Sequence, residues 1–300
     1  MRAVVHERYG KPNDVLMIKD VEPPILKDND VLVGVRAAGV HVGDLFGLLG
    51  QPLPLRVVTG LRRPTYGIPG LDVAGEVEAV GAKVTRFQPG DEVFGVCGWP
   101  AAGAVAEYSR TAEDHLVAKP SHLSFEEAAA VPTSALAALH GLRAGGVRPG
   151  HRVLINGASG GVGTFAIQIA KALGAEVTGV CGTSNLELVK SLGANHAIDY
   201  TRDDFTARPN RYDVILDNIE NRRLAEVRRA LTPKGTLVLN SGTGTSGLKM
   251  LRRLVAPLIV SPFVGQRLRR YLSKPTPADL AELAGLIEDK SLQPVVERAY

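Results

Sequence analysis

The stretch Val153-Leu154-Ile155-Asn156-Gly157-Ala158-Ser159-Gly160-Gly161-Val162-Gly163 decides the fold. Its first residues read as a buried strand. Glycines follow at once, and Val162 to Leu173 reads as a helix. A strand that turns through glycines straight into a helix is the context of a dinucleotide fingerprint. Without β-carbons the backbone can approach a diphosphate closely. The helix N-terminus adds unpaired N–H groups and partial positive charge. Gly157, Ala158, Ser159, Gly160, Gly161, Val162 and Gly163 are therefore assigned to cofactor binding, against the plainer reading of an ordinary tight turn. No Gly-Lys-Ser/Thr follows, which excludes a P-loop.

Working outward, strand and helix alternate. Val177–Cys181, His196–Ile198, Tyr212–Leu216 and Gly235–Leu239 read as strands. Leu186–Leu192 and Arg223–Leu231 read as helices between them. This alternation predicts a parallel sheet with helices on both faces. Upstream, Ser124 and Glu127 form a capping box for a helix, and a second helix is expected over Thr133–Leu142. The first 120 residues differ. Val31–Val35, Val73–Val80 and Glu92–Val96 read as short strands, with a turn at Pro89-Gly90-Asp91, so an irregular, mostly β domain is expected. From about Met250 the chain returns to helix, including the basic clusters Arg252-Arg253 and Arg267–Arg270, and Pro294–Glu297 ends it as a strand. The predicted domains are 1–120, with 256–300 returning to it, and 121–255.

The second strand of a dinucleotide fold places an acid on the ribose 2′-hydroxyl when the cofactor is NADH. Here it ends Val180-Cys181-Gly182-Thr183-Ser184-Asn185, with no carboxylate. The Thr183 and Ser184 hydroxyls can donate to a 2′-phosphate, which predicts NADPH and adds Cys181, Thr183 and Ser184 to the site. The alternative is that they only cap the next helix; the basic Lys190 and Arg202 lie further on. Asn218, Ser241 and Gly242 follow later strands at the carboxyl end of the sheet, where ligands of open parallel sheets bind. A turn role for Asn218 is an equal alternative.

Composition narrows the class. The chain has 300 residues, 45% of them apolar, and a formal charge of +4. The basic clusters carry no interleaved aromatics, so they read as a solvated helical face rather than a nucleic-acid surface. No apolar run is long enough to span a membrane, and Met1–Val5 reads as a strand rather than a signal peptide. Cys97 and Cys181 are the only cysteines, which suits a reducing, cytoplasmic compartment and rules out a four-cysteine zinc site.

With these motifs the chain resembles the medium-chain dehydrogenase/reductase superfamily, in its zinc-free quinone oxidoreductase branch. Gly67–Val77, Phe87–Val93, Gly157–Gly163, Gln168-Ile169-Ala170-Lys171 and Leu192-Gly193-Ala194 carry the resemblance. It implies an α/β fold, a Rossmann doubly wound parallel sheet domain plus a GroES-like, mostly β domain, with the active site in the cleft between them. It implies NADPH-dependent reduction of a quinone or an α,β-unsaturated carbonyl, and a homodimer joined through the sheet edge, near Leu237–Asn240. Zinc-dependent relatives carry Gly-His-Glu where this chain has Gly70-Leu71-Asp72, and leucine cannot ligate metal. They carry cysteine at the position of His41 and a Ser or Thr at Gly43; the zinc-free branch usually has Asn at His41. A phosphate-binding Lys of some relatives is Leu186 here, and a Thr near the nicotinamide is Ala137. Such relatives continue past the position of Tyr300 with another helix and a closing strand.

The resemblance makes His41 the first candidate to face the substrate oxygen, as hydrogen-bond donor or proton source, with Asp44 fixing its loop and Tyr66 a second donor. Solvent protonation, with His41 only lining the site, is the equal alternative. Leu258–Leu268 is expected to line the substrate pocket, and Trp99 and His140 to serve packing. The rival readings are a zinc-type alcohol dehydrogenase and a cofactor-binding sensor or scaffold without turnover.

Overall fold

The structure, a computed structural model, describes residues 1–300 apart from 52, 54, 55, 66, 98–102, 241–254 and 258. It divides into two compact units, residues 1–136 with 274–290 and 294–300, and residues 137–273 with 291–293.

The first unit is built on strands. β1 (Arg2–Val5) and β2 (Met17–Asp20) pair as an antiparallel ribbon. β3 (Asp30–Gly39), β4 (Asp72–Val80), β5 (Glu92–Val96), β6 (Tyr108–Ala112) and β7 (Leu116–Ala118) form an antiparallel sheet in the order β6-β3-β4-β5-β7. Alternation supplies its core: Val31, Val33, Val73, Val77 and Val93 point inward around Cys97 and Leu116. Ser124 caps the helix Phe125–Ala129 by accepting from Glu127 N–H, while the Glu127 carboxylate accepts from Ser124 N–H, as the capping box predicts.

The second unit is the α/β body. β8 (Arg152–Asn156), β9 (Glu176–Cys181), β10 (His196–Asp199), β11 (Tyr212–Asp217), β12 (Leu231–Leu239) and β13 (Arg267–Arg270) form one parallel sheet in the order β10-β9-β8-β11-β12-β13. Chain order reverses between β8 and β11, which opens a crevice at the carboxyl ends of those strands. β8 is buried on both faces, as its unbroken Val-Leu-Ile run predicts.

Three expectations are corrected here. Arg267–Arg270 is not helical: it is the edge strand β13, with Leu268 buried between exposed Arg267 and Arg269. That period of two was present in the sequence, but four residues of mostly charge hid it. β12 is consequently interior, so among the described residues the sheet's edges are β10 and β13, and Leu237–Asn240 is not an edge. Pro294–Glu297 joins no sheet among the described residues, and Pro294 brings no N–H to a ladder. Of the helical return from Met250, residues 255–257 and 259–260 are helical, ahead of a 3₁₀ turn at Ser261–Phe263; 250–254 and 258 lie outside the described residues.

Candidate cofactor site and histidine loop

In the second unit, β8 hands over to Gly157, whose φ is 81°. The N–H groups of Gly157 and Ala158 donate to Val180 O on β9, at 3.2 and 2.9 Å, and Gly160 N–H donates back to Gly157 O. Gly160 is the N-cap of the helix Gly161–Ala172 and no side chain caps it. The first-turn amides of that helix therefore point outward uncapped. A β-carbon at Gly163 would run into the carbonyl oxygen of Gly157 and come within 2.7 Å of Ala158 Cα. One at Gly157 would sit 2.8 Å from Ile219 Cδ1. The helix start is thus drawn tight against the strand end, with a bare backbone cradle at the sheet's switch point. These residues fit a dinucleotide diphosphate.

At the end of β9 the structure changes one reading. Thr183 Oγ1 donates to Asp199 Oδ2 at 2.6 Å, and Thr201 donates to Asp199 Oδ1 through both its hydroxyl, 2.7 Å, and its N–H, 2.9 Å. The Thr183 hydroxyl hydrogen bond, then those of Thr201, hold the Asp199 carboxyl below its usual range. The Thr183 proton is therefore committed to a carboxylate, and its hydroxyl is no donor to a 2′-phosphate. The loop does have an acid beside it, supplied by the neighbouring strand: Asp199 is the register partner of Cys181. Local sequence at 180–185 could not show this, because the acid is sixteen residues on. The same turn brings Tyr200 over Gly182 and places the 76% exposed Arg202 guanidinium 3.8 Å from Asp199. Ser184 is exposed. Cys181 is buried, and burial raises its thiol pKa.

The ends of β11, β12 and β13 carry a polar cluster of which the sequence signalled only Asn218. Asp217 Oδ1 accepts from Asn156 Nδ2 at 2.8 Å and from the N–H groups of Ile219 and Glu220. Glu220 is buried and has a left-handed φ of 54°, which side chains with a β-carbon rarely adopt. Its carboxylate takes both Arg270 Nη atoms, at 3.0 and 2.7 Å, a fork-on-fork pair. Asn218 Oδ1 accepts from Asn240 Nδ2, while Asn218 Nδ2 is buried without a hydrogen-bond partner among the described residues. Ser241 and Gly242 lie outside the described residues.

In the first unit, His41 is the N-cap of the helix Val42–Leu49. Its Nδ1 accepts from Gly43 N–H at 3.0 Å, so the proton of the neutral ring resides on Nε2. Nε2 is shielded, has no hydrogen-bond partner among the described residues and lies 3.6 Å from Asp44 Oδ2. Asp44 accepts His41 N–H on Oδ2 and Gly70 N–H on Oδ1, which ties the helix start to the Pro69-Gly70 turn. Asp72 is buried and accepts from both the N–H and the hydroxyl of Thr133. Burial outweighs those donors and raises its carboxyl to about 8. Cys97 is buried beside Ser109 Oγ, and burial pushes its thiol up to about 12. Tyr66 and Trp99 lie outside the described residues, as does Leu258. His140 Nδ1 meets Ser273 Oγ at 2.9 Å within the second unit.

A model of the alcohol dehydrogenase GroES-like domain matches residues 27–121, and one of zinc-binding dehydrogenase matches 161–261. The 2-methylene-furan-3-one reductase of Solanum lycopersicum is 33% identical over 273 residues, covering 85% of this chain and 68% of that protein. The chain belongs to the medium-chain dehydrogenase/reductase superfamily, in its quinone oxidoreductase-like branch. Among solved members, the quinone oxidoreductase of Coxiella burnetii matches with a TM-score of 0.84 at 28% identity, over 99% of this chain and 90% of that one. The Escherichia coli quinone oxidoreductase, complexed with NADPH, matches at 0.80 and 25% identity, over 99% and 91%. The superfamily's two domains are therefore both here, as a GroES-like β unit and a Rossmann parallel sheet.

Proposed function

We propose that this chain is a metal-independent, NADPH-dependent reductase of quinones or α,β-unsaturated carbonyl compounds. The carrying observation is the uncapped glycine cradle at 157–163, at the switch point of a sheet whose family is one of NAD(P)H-dependent reductases. When bound, the cofactor supplies a hydride from its nicotinamide ring to the electron-poor carbon of the substrate. The protein binds, orients and stabilises charge.

Gly157, Ala158, Ser159, Gly160, Gly161, Val162 and Gly163 hold the diphosphate, with Cys181 in the wall beside them. Asn218, Ser241 and Gly242 hold the far half of the dinucleotide, and the free Asn218 Nδ2 is its first donor. Ser184 with Tyr200 and Arg202 recognises the 2′-phosphate, the Arg202 guanidinium 3.8 Å from Asp199 countering that carboxylate's charge. The NADPH held by the E. coli relative supports the same choice. His41 Nε2–H is the donor for the oxygen on which negative charge develops; it is the one polar atom of that ring without a hydrogen bond. Asp44 is a positioning residue for the loop, and Tyr66 a second donor. Metal independence is supported by commitments already made: Asp72 to Thr133, both Asp44 oxygens to backbone N–H groups, and His41 Nδ1 to Gly43.

No helix among the described residues is long and apolar enough to cross a membrane. Both thiols are buried and unpaired, which supports a reducing, cytoplasmic setting. A homodimer joined through the β13 edge of the sheet is the form proposed. Antiparallel copies would bring Arg267 and Arg269 together, so light scattering should show its mass rising with salt.

The deciding experiment is a panel of quinones, enones and aldehydes, run with NADPH and NADH on purified protein together with metal analysis. Turnover with NADPH on the first two classes, without stoichiometric zinc, is expected. NADPH binding without oxidation by any acceptor would make the chain a sensor or scaffold. His41→Asn retains a helix cap; unchanged turnover in that variant and in His41→Ala would end the donor role.

A further inference from the structure

The parallel strands of the second unit all begin at the edge opposite the glycine cradle, and a cavity of about 310 Å³ opens there. Its walls come from the chain before β8, the start of β11, the first half of β12 and the first residue of β13. Arg148, Lys234 and Arg267 line it, with His151, Thr232 and Asp213. All three cations are exposed, and none has an ion pair among the described residues. Asp213 is the one acid in the wall, and its Oδ2 already accepts from Arg152 N–H at 2.9 Å and Arg152 Nε at 3.3 Å. His151 Nδ1 is buried without a hydrogen-bond partner. Gly146, at φ 65°, has open space where a β-carbon would stand, so the entrance is clear.

We propose that this cavity is a second ligand site, for a small molecule bearing a phosphate or diphosphate group. Three like charges converging on one concavity repel each other and raise the local concentration of anions. The opposing element is the carboxyl end of the helix Pro132–Gly145, worth roughly half a negative charge, well short of three full cations. Two guanidinium forks and an ammonium match a phosphate better than a carboxylate, because phosphate offers more acceptor oxygens and up to two charges. The volume suits a small molecule, near the lower end of ligand sites at roughly 300–1,000 Å³. The site lies at the other end of the strands from the cofactor cradle, so both can be filled at once.

The probe is inorganic pyrophosphate, titrated by calorimetry into the full chain, alone and saturated with NADPH. The variants are R148Q/K234Q/R267Q and a charge-matched control, K11Q/K27Q/K274Q, all at exposed positions. Saturable binding that persists with NADPH is expected. The cavity triple should weaken it at least about tenfold, since each lost charge-assisted hydrogen bond is worth about that, and the control by less than about twofold. Equal weakening in both triples would reduce the cavity to general surface charge and overturn the proposal. So would the absence of saturable heat, or binding that NADPH abolishes, which would place the pyrophosphate on the glycine cradle. The titration without NADPH decides the matter even if NADPH does not bind, so its failure is separable from that of the reductase reading.

Discussion

Replacing Arg270 by Met should loosen the carboxyl end of the parallel sheet, and the size of the effect follows from the geometry. Glu220 keeps only 6% of its side chain exposed and gives both oxygens to Arg270, which is 25% exposed. Stranding one partner of a fully buried pair costs about 3–5 kcal/mol. The partial exposure of Arg270 lowers this to about 2–3 kcal/mol, because solvent screens the pair. Glu220 also sits at φ 54°, a conformation that costs a residue with a β-carbon about 1 kcal/mol or more. Glu220→Gly relieves that strain, so it should recover about 1 kcal/mol when added to Arg270→Met. The two substitutions are then strongly non-additive. Hydrogen exchange read by mass spectrometry on peptides covering 212–217 and 267–270 gives the local opening free energy. Ile219, between Asp217 and Glu220, packs against Gly157, so NADPH affinity should fall along with protection. A loss below about 0.5 kcal/mol for Arg270→Met would make the pair an ordinary surface contact. A double variant equal to the sum of the singles would refute the coupling.

Gly163→Ala should cost about 1–3 kcal/mol of stability, because its β-carbon meets backbone rather than a movable side chain; NADPH fluorescence titration should show weakened binding in protein that still folds. Arg202→Gln should weaken NADPH about tenfold by removing one charge-assisted contact and leave NADH nearly unchanged; equal losses for both cofactors would detach Arg202 from the 2′-phosphate. Asp72 makes a prediction in pH. Its folded carboxyl stands at about 8 against 3.8 for the unfolded group, so the folded state holds the extra proton between those values. The stability it contributes is fully present below about pH 4 and is lost as pH rises through about 8. Urea melts spanning that window should flatten in Asp72→Asn, and an unchanged slope would assign the pH dependence elsewhere.

Much of the fold was legible in local pattern. The strand-to-glycine-to-helix step at 153–163, the alternating elements after it and the Ser124–Glu127 capping box all depend on residues within a few positions of one another. What local pattern does not carry is meaning that depends on distant partners. Arg267–Arg270 takes its character from β12 beside it, and Thr183 takes its role from Asp199 across the strand pair. Glu220 and Arg270 are unremarkable alone, and their pairing across 50 residues left no local trace. The left-handed backbone at Glu220 was equally hidden, since glycine is the usual signal for it.

The sequence by itself determined the strand-to-glycine-to-helix turn at 153–163, proposed above to hold a diphosphate, and the family to which the chain belongs, because backbone geometry at such a turn is set by short-range sterics. Only the tertiary structure decided which hydroxyls beside that cradle are free to donate, where the sheet ends, and which charges are already neutralised. Those properties belong to pairs of groups brought together by strand register, and a hydrogen bond or an ion pair is a property of distance, which a linear order of residues does not carry.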